Sequence, residues 1–340
     1  MKALYYRELG GKKVECRLCP HHCKLKPDQY GICGVRKNID GELQTLVYGK
    51  AVASHMDPIE KKPLFHVYPG SLAFSLATVG CNFKCKFCQN CDISQMPRER
   101  NDLIIGDLLS PENVIHTAKK RLCKTVALTY TEPTIFYEYA LDIAKLANEQ
   151  KLGAVWISNG YIDPEPLTDI APYLVAANID LKGWDKGFYR SIVGGDLDKV
   201  LDTLRLLKKL DVWLEVTTLL VPGYVDNEEA IIDMAKFIAN ELGPETPWHL
   251  SRFHPQYLMQ DVPPTPISVL RRAREIGLRE GLHYVYSGNV PGDQGEHTFC
   301  KQCGNVLIER WGYNIIDNKL VDGACPHCGT VIDGVGMGSV

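Results

Sequence analysis

The sequence predicts an α/β fold, a partial (β/α)6 barrel preceded by a small N-terminal Cys-rich module and followed by a Cys-bearing, Gly-rich tail. Two observations predict it. From Ser71 to about Pro291, apolar runs of strand length alternate with longer amphipathic stretches, the pattern of a parallel sheet with right-handed crossovers. The 13 cysteines fall into three groups plus Cys123: one ahead of the alternation, one directly after its first strand, one beyond its end. The divisions are therefore 1–70, 71–292 and 293–340.

The strands are predicted in order at Leu72 to Val79, Thr125 to Tyr130, Ala154 to Ser158, Ala177 to Leu181, Val212 to Val221 and Trp248 to Phe253. Between them FYEYALDIAKLANEQ (Phe136 to Gln150) and EEAIIDMAKFIANEL (Glu228 to Leu242) carry apolar residues at helical spacing. A further helix near Ile267 to Glu280 leads into HYVYSG. In barrels of this kind the chemistry sits where strands end and βα loops begin. Here those tails read VGCNFKCKFC, TYTEPT, SNGY, DLKG, VPGY and FHPQ, rich in polar groups, Gly and Pro.

At 340 residues and 45% hydrophobic content the chain can bury one medium domain with appendages. A formal charge of -3 gives no global basic field, which speaks against nucleic acid or an anionic membrane as partner. MKALYYRELGGKKVEC lacks the apolar run of a signal peptide, and no stretch approaches the roughly 18 apolar residues of a spanning helix. A cytoplasmic protein is expected. There thiols stay reduced, so the cysteines read as metal ligands rather than as disulfides.

Cys81-x3-Cys85-x2-Cys88 follows the first barrel strand. Three thiolates can ligate three irons of a [4Fe-4S] cube and leave the fourth without a protein ligand. That iron can chelate the amino and carboxylate groups of S-adenosylmethionine (SAM), whose reductive cleavage releases a 5'-deoxyadenosyl radical, chemistry that belongs to the cofactor. The competing reading is a zinc knuckle closed by Cys91. In the cluster reading Cys91 is a free thiol.

Taken together, CNFKCKFCQN, TYTEPT, IDLKG, LLVPG and HLSRFHP resemble the radical SAM superfamily, in the branch that contains pyruvate formate-lyase activating enzyme. With CRLCPHHC, DPIEKKPLFHVYPGS, YSGNVPG and the Cys-rich tail added, nearly the whole chain resembles the radical SAM component of the AmmeMemoRadiSam system. The resemblance implies that Glu132 of YTEP stands where the superfamily's Gly-Gly-Glu motif places a carboxylate near the SAM amino group, with Tyr130 and Thr131 replacing the two glycines. It implies a ribose-contacting strand end at Ser158, Asn159 and Gly160, an Asp-Leu-Lys motif at Asp180 and Lys182, and a His near the cofactor at His254. Read from the residues alone, Glu132 is equally a charge at a helix start, and Asp180 and Lys182 can pair with each other. His254 reads first as a structural histidine.

Cys300-x2-Cys303 and Cys325-x2-Cys328 form two knuckles, the pattern of a zinc ribbon that holds together a tail too short for its own core. Cys16, Cys19, Cys23 and Cys33 can hold either a second, auxiliary iron-sulfur cluster or zinc. Three functions compete: a radical SAM enzyme, acting alongside Memo-like and AMMECR-type proteins or as a glycyl-radical activase; a zinc-rich binding protein; and an RNA modifier. The enzyme reading needs a one-electron reductant such as ferredoxin or flavodoxin.

Overall fold

Strands covered on both faces need apolar side chains at nearly every position. Seven segments of this chain are buried over most of their length in the computed structural model, which describes residues 1–338. We label them with an eighth, polar strand: β1 Ala53–Pro58, β2 Leu72–Ala77, β3 Thr125–Leu128, β4 Gly153–Ser158, β5 Ala176–Asp180, β6 Trp213–Leu220, β7 Trp248–Arg252 and β8 Val285–Gly288. They form one open sheet in the order β8-β7-β6-β5-β4-β3-β2-β1. Every neighbouring pair from β2 to β8 is parallel, and β1 runs antiparallel to β2.

Each parallel step crosses over through a helix: Pro111–Lys120, Tyr137–Glu149, Pro164–Ile170, Leu197–Lys209, Glu228–Phe237 and Ile267–Arg279. Ser110 and Asn227 cap two of these helices through side-chain oxygens that accept from Asn113 N–H (3.3 Å) and Ala230 N–H (3.1 Å). No helix among the described residues is long and apolar enough to cross a membrane.

The sheet has one parallel strand more than the sequence pattern laid out, because the HYVYSG segment pairs as β8 beside β7. Residues 53–58, within the segment assigned to the N-terminal module, belong to the central sheet as β1. ASHMDP is half-exposed at a sheet edge and so lacks the apolar signature of the strands it joins.

The flanking segments dock by buried polar contacts. Arg36 and Glu138, 2% and 1% exposed, pair at 2.9 Å and tie the first residues to the helix Tyr137–Glu149. At the other end, Thr298–Phe299, Val306–Trp311 and Asn314–Asn318 make a small antiparallel sheet with its own apolar cluster around Leu307 and Ile308. Buried Arg310 fastens it, donating to Thr298 Oγ1 at 2.7 Å and to the Phe65 carbonyl at 3.1 Å.

Candidate active site

Where β2 ends, the chain must turn sharply against the N-terminal segment, and Gly80 does this at φ +96°. A Cβ there would lie 2.6 Å from Val35 Cγ1 and 2.8 Å from the Cys33 carbonyl oxygen, so no other residue fits. The loop that follows is pinned on both sides. Lys84 and Lys86 N–H donate to the carbonyls of Val193 (2.9 Å) and Ile192 (3.1 Å), and the Lys86 carbonyl accepts from Leu258 N–H at 2.9 Å. Val193 and Ile192 lie in a π-helical turn, Tyr189–Val193, a rare geometry that recurs at functional sites.

This frame brings Cys81, Cys85 and Cys88 to one wall of a cavity of about 440 Å³ at the carboxyl ends of the parallel strands. Cys91 is not on that wall; it opens the short helix Cys91–Ser94 and is half-buried. Donors already face two of the sulfurs. Phe83 N–H (3.3 Å) and the Asn159 amide (3.8 Å) reach the Cys81 sulfur, and the Ser94 hydroxyl lies 3.2 Å from that of Cys88.

Burial pushes the Cys81 thiol far above its ordinary range and Cys85 up to about 12, although nearby Lys182 pulls the latter back. Such thiols ionise when a bound cation replaces the proton, which is the condition of a metal ligand. Zinc at about 2.3 Å from each sulfur would hold the sulfurs near 3.8 Å from one another. Among the described residues, the group of ligand atoms all within 4.8 Å of one another is the C-terminal quartet, and the central cysteines form no such group. The central cysteines therefore lack the compact arrangement of a single-ion site.

Opposite the sulfurs, the cavity wall is made by strand tails: Thr129 to Thr131 after β3, Ser158 and Asn159 at β4, Asp180 and Lys182 at β5, Ser251 at β7 and Asn289 after β8. Asp180 and Lys182 pair at 2.8 Å. Burial opposes the charge on Lys182, but the Asp180 carboxylate outweighs it and holds the ammonium above its ordinary value.

Glu132 is not on this wall. Its side chain is fully buried; Oε1 accepts from Ser158 Oγ (2.7 Å), Thr134 N–H (3.0 Å) and Thr134 Oγ1 (2.7 Å), and Oε2 from Asn159 N–H (2.8 Å). Glu132 sits behind the wall and brackets Ser158 and Asn159, which face the cavity. Burial raises its carboxyl above the usual range. His254 lies just beyond β7. It is exposed and off the cavity, because Phe253 before it turns inward, held by Thr265 Oγ1 at 2.9 Å.

Among the lining residues that escaped the sequence reading, three bring new chemistry. Lys61 and Lys62 come from the turn after β1, and Tyr313 reaches in from the C-terminal sheet. Lys62 Nζ bonds Asp57 Oδ2 at 2.7 Å and stands 4.2 Å over the Tyr130 ring; burial lowers its pKa to about 8, against the pull of Asp57. The lysines lie within DPIEKKPLFHVYPGS, so a motif marked the place though not the role.

The C-terminal quartet has the geometry of a single-ion site. Cys300 and Cys328 sulfurs stand 3.6 Å apart, Cys303 and Cys325 3.7 Å, close to the tetrahedral spacing above. Cys16, Cys19, Cys23 and Cys33 instead surround an enclosed pocket that Arg36 also lines.

Known proteins resemble this chain in sequence and in fold. A sequence profile described as the Radical SAM superfamily matches residues 75–238. The chain is 46% identical over 334 residues to the uncharacterized protein MJ0808 of Methanocaldococcus jannaschii, covering 98% of both. It is 25% identical over 170 residues to MJ1632 of the same organism, provisionally named a glycyl-radical enzyme activating enzyme, with 49% of this chain and 62% of that one aligned. Among solved structures, Streptococcus suis SuiB bound to S-adenosylmethionine superposes with a TM-score of 0.50 at 14% identity, over 65% of this chain and 51% of that one. That likeness concerns the fold.

Proposed function

The chain belongs to the radical SAM superfamily, and on that footing we propose that it reductively cleaves SAM at Cys81, Cys85 and Cys88 as the radical SAM component of an AmmeMemoRadiSam system. The observation that carries the reading is the placement of those three buried sulfurs, and not Cys91, on one wall of the strand-end cavity. Where present, a [4Fe-4S] cluster with SAM on its open iron supplies one-electron cleavage of a C–S bond and a carbon radical that abstracts hydrogen.

The chain's own residues bind, orient and shield. The three thiolates hold the irons, and the donors from Phe83, Asn159 and Ser94 stabilise negative charge on sulfur. Ser158 and Asn159, set by Glu132, offer polar groups to SAM, while Phe83, Phe87, Ile157 and Leu219 make the apolar part of the wall. Asp180 and Lys182 present an ion pair to ligand or substrate, joined by Lys61 and Lys62 on the β1 side. In this reading the C-terminal quartet takes zinc, which keeps Tyr313 at the cavity.

A one-electron reductant of the ferredoxin or flavodoxin class completes the system, and Memo-like and AMMECR-type proteins are the proposed partners. A second reading is a glycyl-radical activase; the provisional name of MJ1632 favours it. Anaerobic reconstitution followed by product analysis separates the two. Hydrogen abstraction that appears when the Memo-like and AMMECR-type proteins are added supports the first, and a radical formed on a glycyl-radical enzyme supports the second.

A further inference from the structure

We propose that Cys16, Cys19, Cys23 and Cys33 hold a second [4Fe-4S] cluster, saturated by thiolate, that passes single electrons to the central site. This rests on the radical SAM reading of the central loop.

The four cysteines wall one enclosed pocket, and two of them, Cys16 and Cys33, are buried. The same pocket is lined by Arg36, 2% exposed, whose Nε has no hydrogen-bond partner among the described residues. Its charge is met by Glu138, and the unused Nε is a buried donor left for an acceptor among the four sulfurs. Ile32 N–H already points at the Cys23 sulfur at 3.5 Å.

Spacing favours a group larger than one ion. The chain contains its own single-ion reference, the C-terminal quartet, whose ligand atoms all lie within 4.8 Å of one another. No three of the N-terminal four meet that condition among the described residues. One tetrahedral zinc would draw the sulfurs to about 3.8 Å. A cubane places each sulfur on a different iron and keeps them farther apart.

Four thiolates leave no open iron, so such a cluster binds neither SAM nor substrate and works by outer-sphere transfer. Its position suits that task. The backbone of Cys33 touches Gly80, the residue before Cys81, as the 2.8 Å approach to a Cβ built there shows. His21 Nε2, two residues from Cys19, lies 2.8 Å from the Asn82 carbonyl, next to Cys81. Arg98 clamps both loops, donating to the carbonyls of Ile32 (2.7 Å), Phe83 (2.8 Å) and Cys81. One electron enters from a flavodoxin-class donor and the same electron leaves to the central cluster; no atom is transferred.

Metal and sulfide analysis of the anaerobically reconstituted full chain tests this. The parent should contain about eight irons, about eight sulfides and about one zinc per chain. The Cys81→Ala/Cys85→Ala/Cys88→Ala variant should keep about four irons and about four sulfides, with a reduced-cluster EPR signal. A Cys19→Ala/Cys23→Ala variant should keep dithionite-driven SAM cleavage and lose the flavodoxin-driven rate. Iron in the parent but none in the triple variant, with zinc in its place, overturns this inference and leaves the proposed function standing. Undiminished flavodoxin-driven cleavage in the double variant overturns the relay. A parent without iron sinks both.

Discussion

Glu132 and Asn159 are joined across the ends of β3 and β4: the Asn159 N–H donates to Glu132 Oε2 at 2.8 Å while the Asn159 side chain reaches the Cys81 sulfur at 3.8 Å. A carboxylate with no exposed surface thereby sets a group that touches the Cys81 sulfur.

Replacing Glu132 with Gln turns one acceptor into a donor that faces other donors. Residues that hydrogen-bond a metal ligand, the place Asn159 takes in this account, typically change activity by about 10 to 100-fold, and Glu132 acts through Asn159. The Glu132→Gln variant should lose SAM cleavage on that scale while its iron content holds, as measured by 5'-deoxyadenosine formation beside iron analysis. An unchanged rate would remove the bracket from the account.

Gly80→Ala should cost more than positive φ alone. Gly223 has φ +77° and open space around its missing Cβ, so Gly223→Ala reports the backbone strain, on the order of 1–3 kcal/mol. Gly80→Ala adds collision with Val35 and the Cys33 carbonyl. Thermal melts should show the larger drop in Tm for Gly80→Ala; equal drops would mean that the two loops separate at no cost.

His66 should make the C-terminal contact sensitive to acid. Its Nδ1–H donates to the Asp333 carbonyl (2.6 Å) and Nε2 accepts from Tyr286 (2.7 Å), the pattern of a neutral ring. Burial lowers its pKa to about 4, against the pull of Glu215 and the Asp333 carbonyl and with help from Arg310 and His249. The folded state then binds fewer protons than the unfolded one between about pH 4 and the ordinary value of 6.5. Stability should fall as pH drops through that window and level off below it. His66→Gln should flatten the Tm-versus-pH curve there; an unaltered slope would assign the effect elsewhere.

Much of the architecture was legible because buried parallel strands and amphipathic crossovers write their periods plainly, as in Gly153–Ser158 and Tyr137–Glu149. Strand β1 was not, since an edge strand half in water carries no apolar run. Within the site, the Cys81, Cys85 and Cys88 spacing and the Asp180–Lys182 pair could be read locally. The orientation of Glu132 could not: a carboxylate at a strand end looks the same in sequence whether it faces the cavity or the donors behind it. Nor could Tyr313, which reaches the cavity only because Arg310 docks a distant hairpin against Phe65.

The C-terminal quartet should separate from the chemistry. Cys325→Ala should lose about one equivalent of zinc and lower the Tm, while iron bound at the central loop stays. Metal analysis with a thermal melt checks this. Iron lost together with zinc would show that the two ends do not assemble independently.

The central claim is tested most directly by quantifying 5'-deoxyadenosine from SAM under dithionite, in the parent and in the Cys81→Ala/Cys85→Ala/Cys88→Ala variant. The account predicts product from the parent and none from the variant; equal product from both would contradict it.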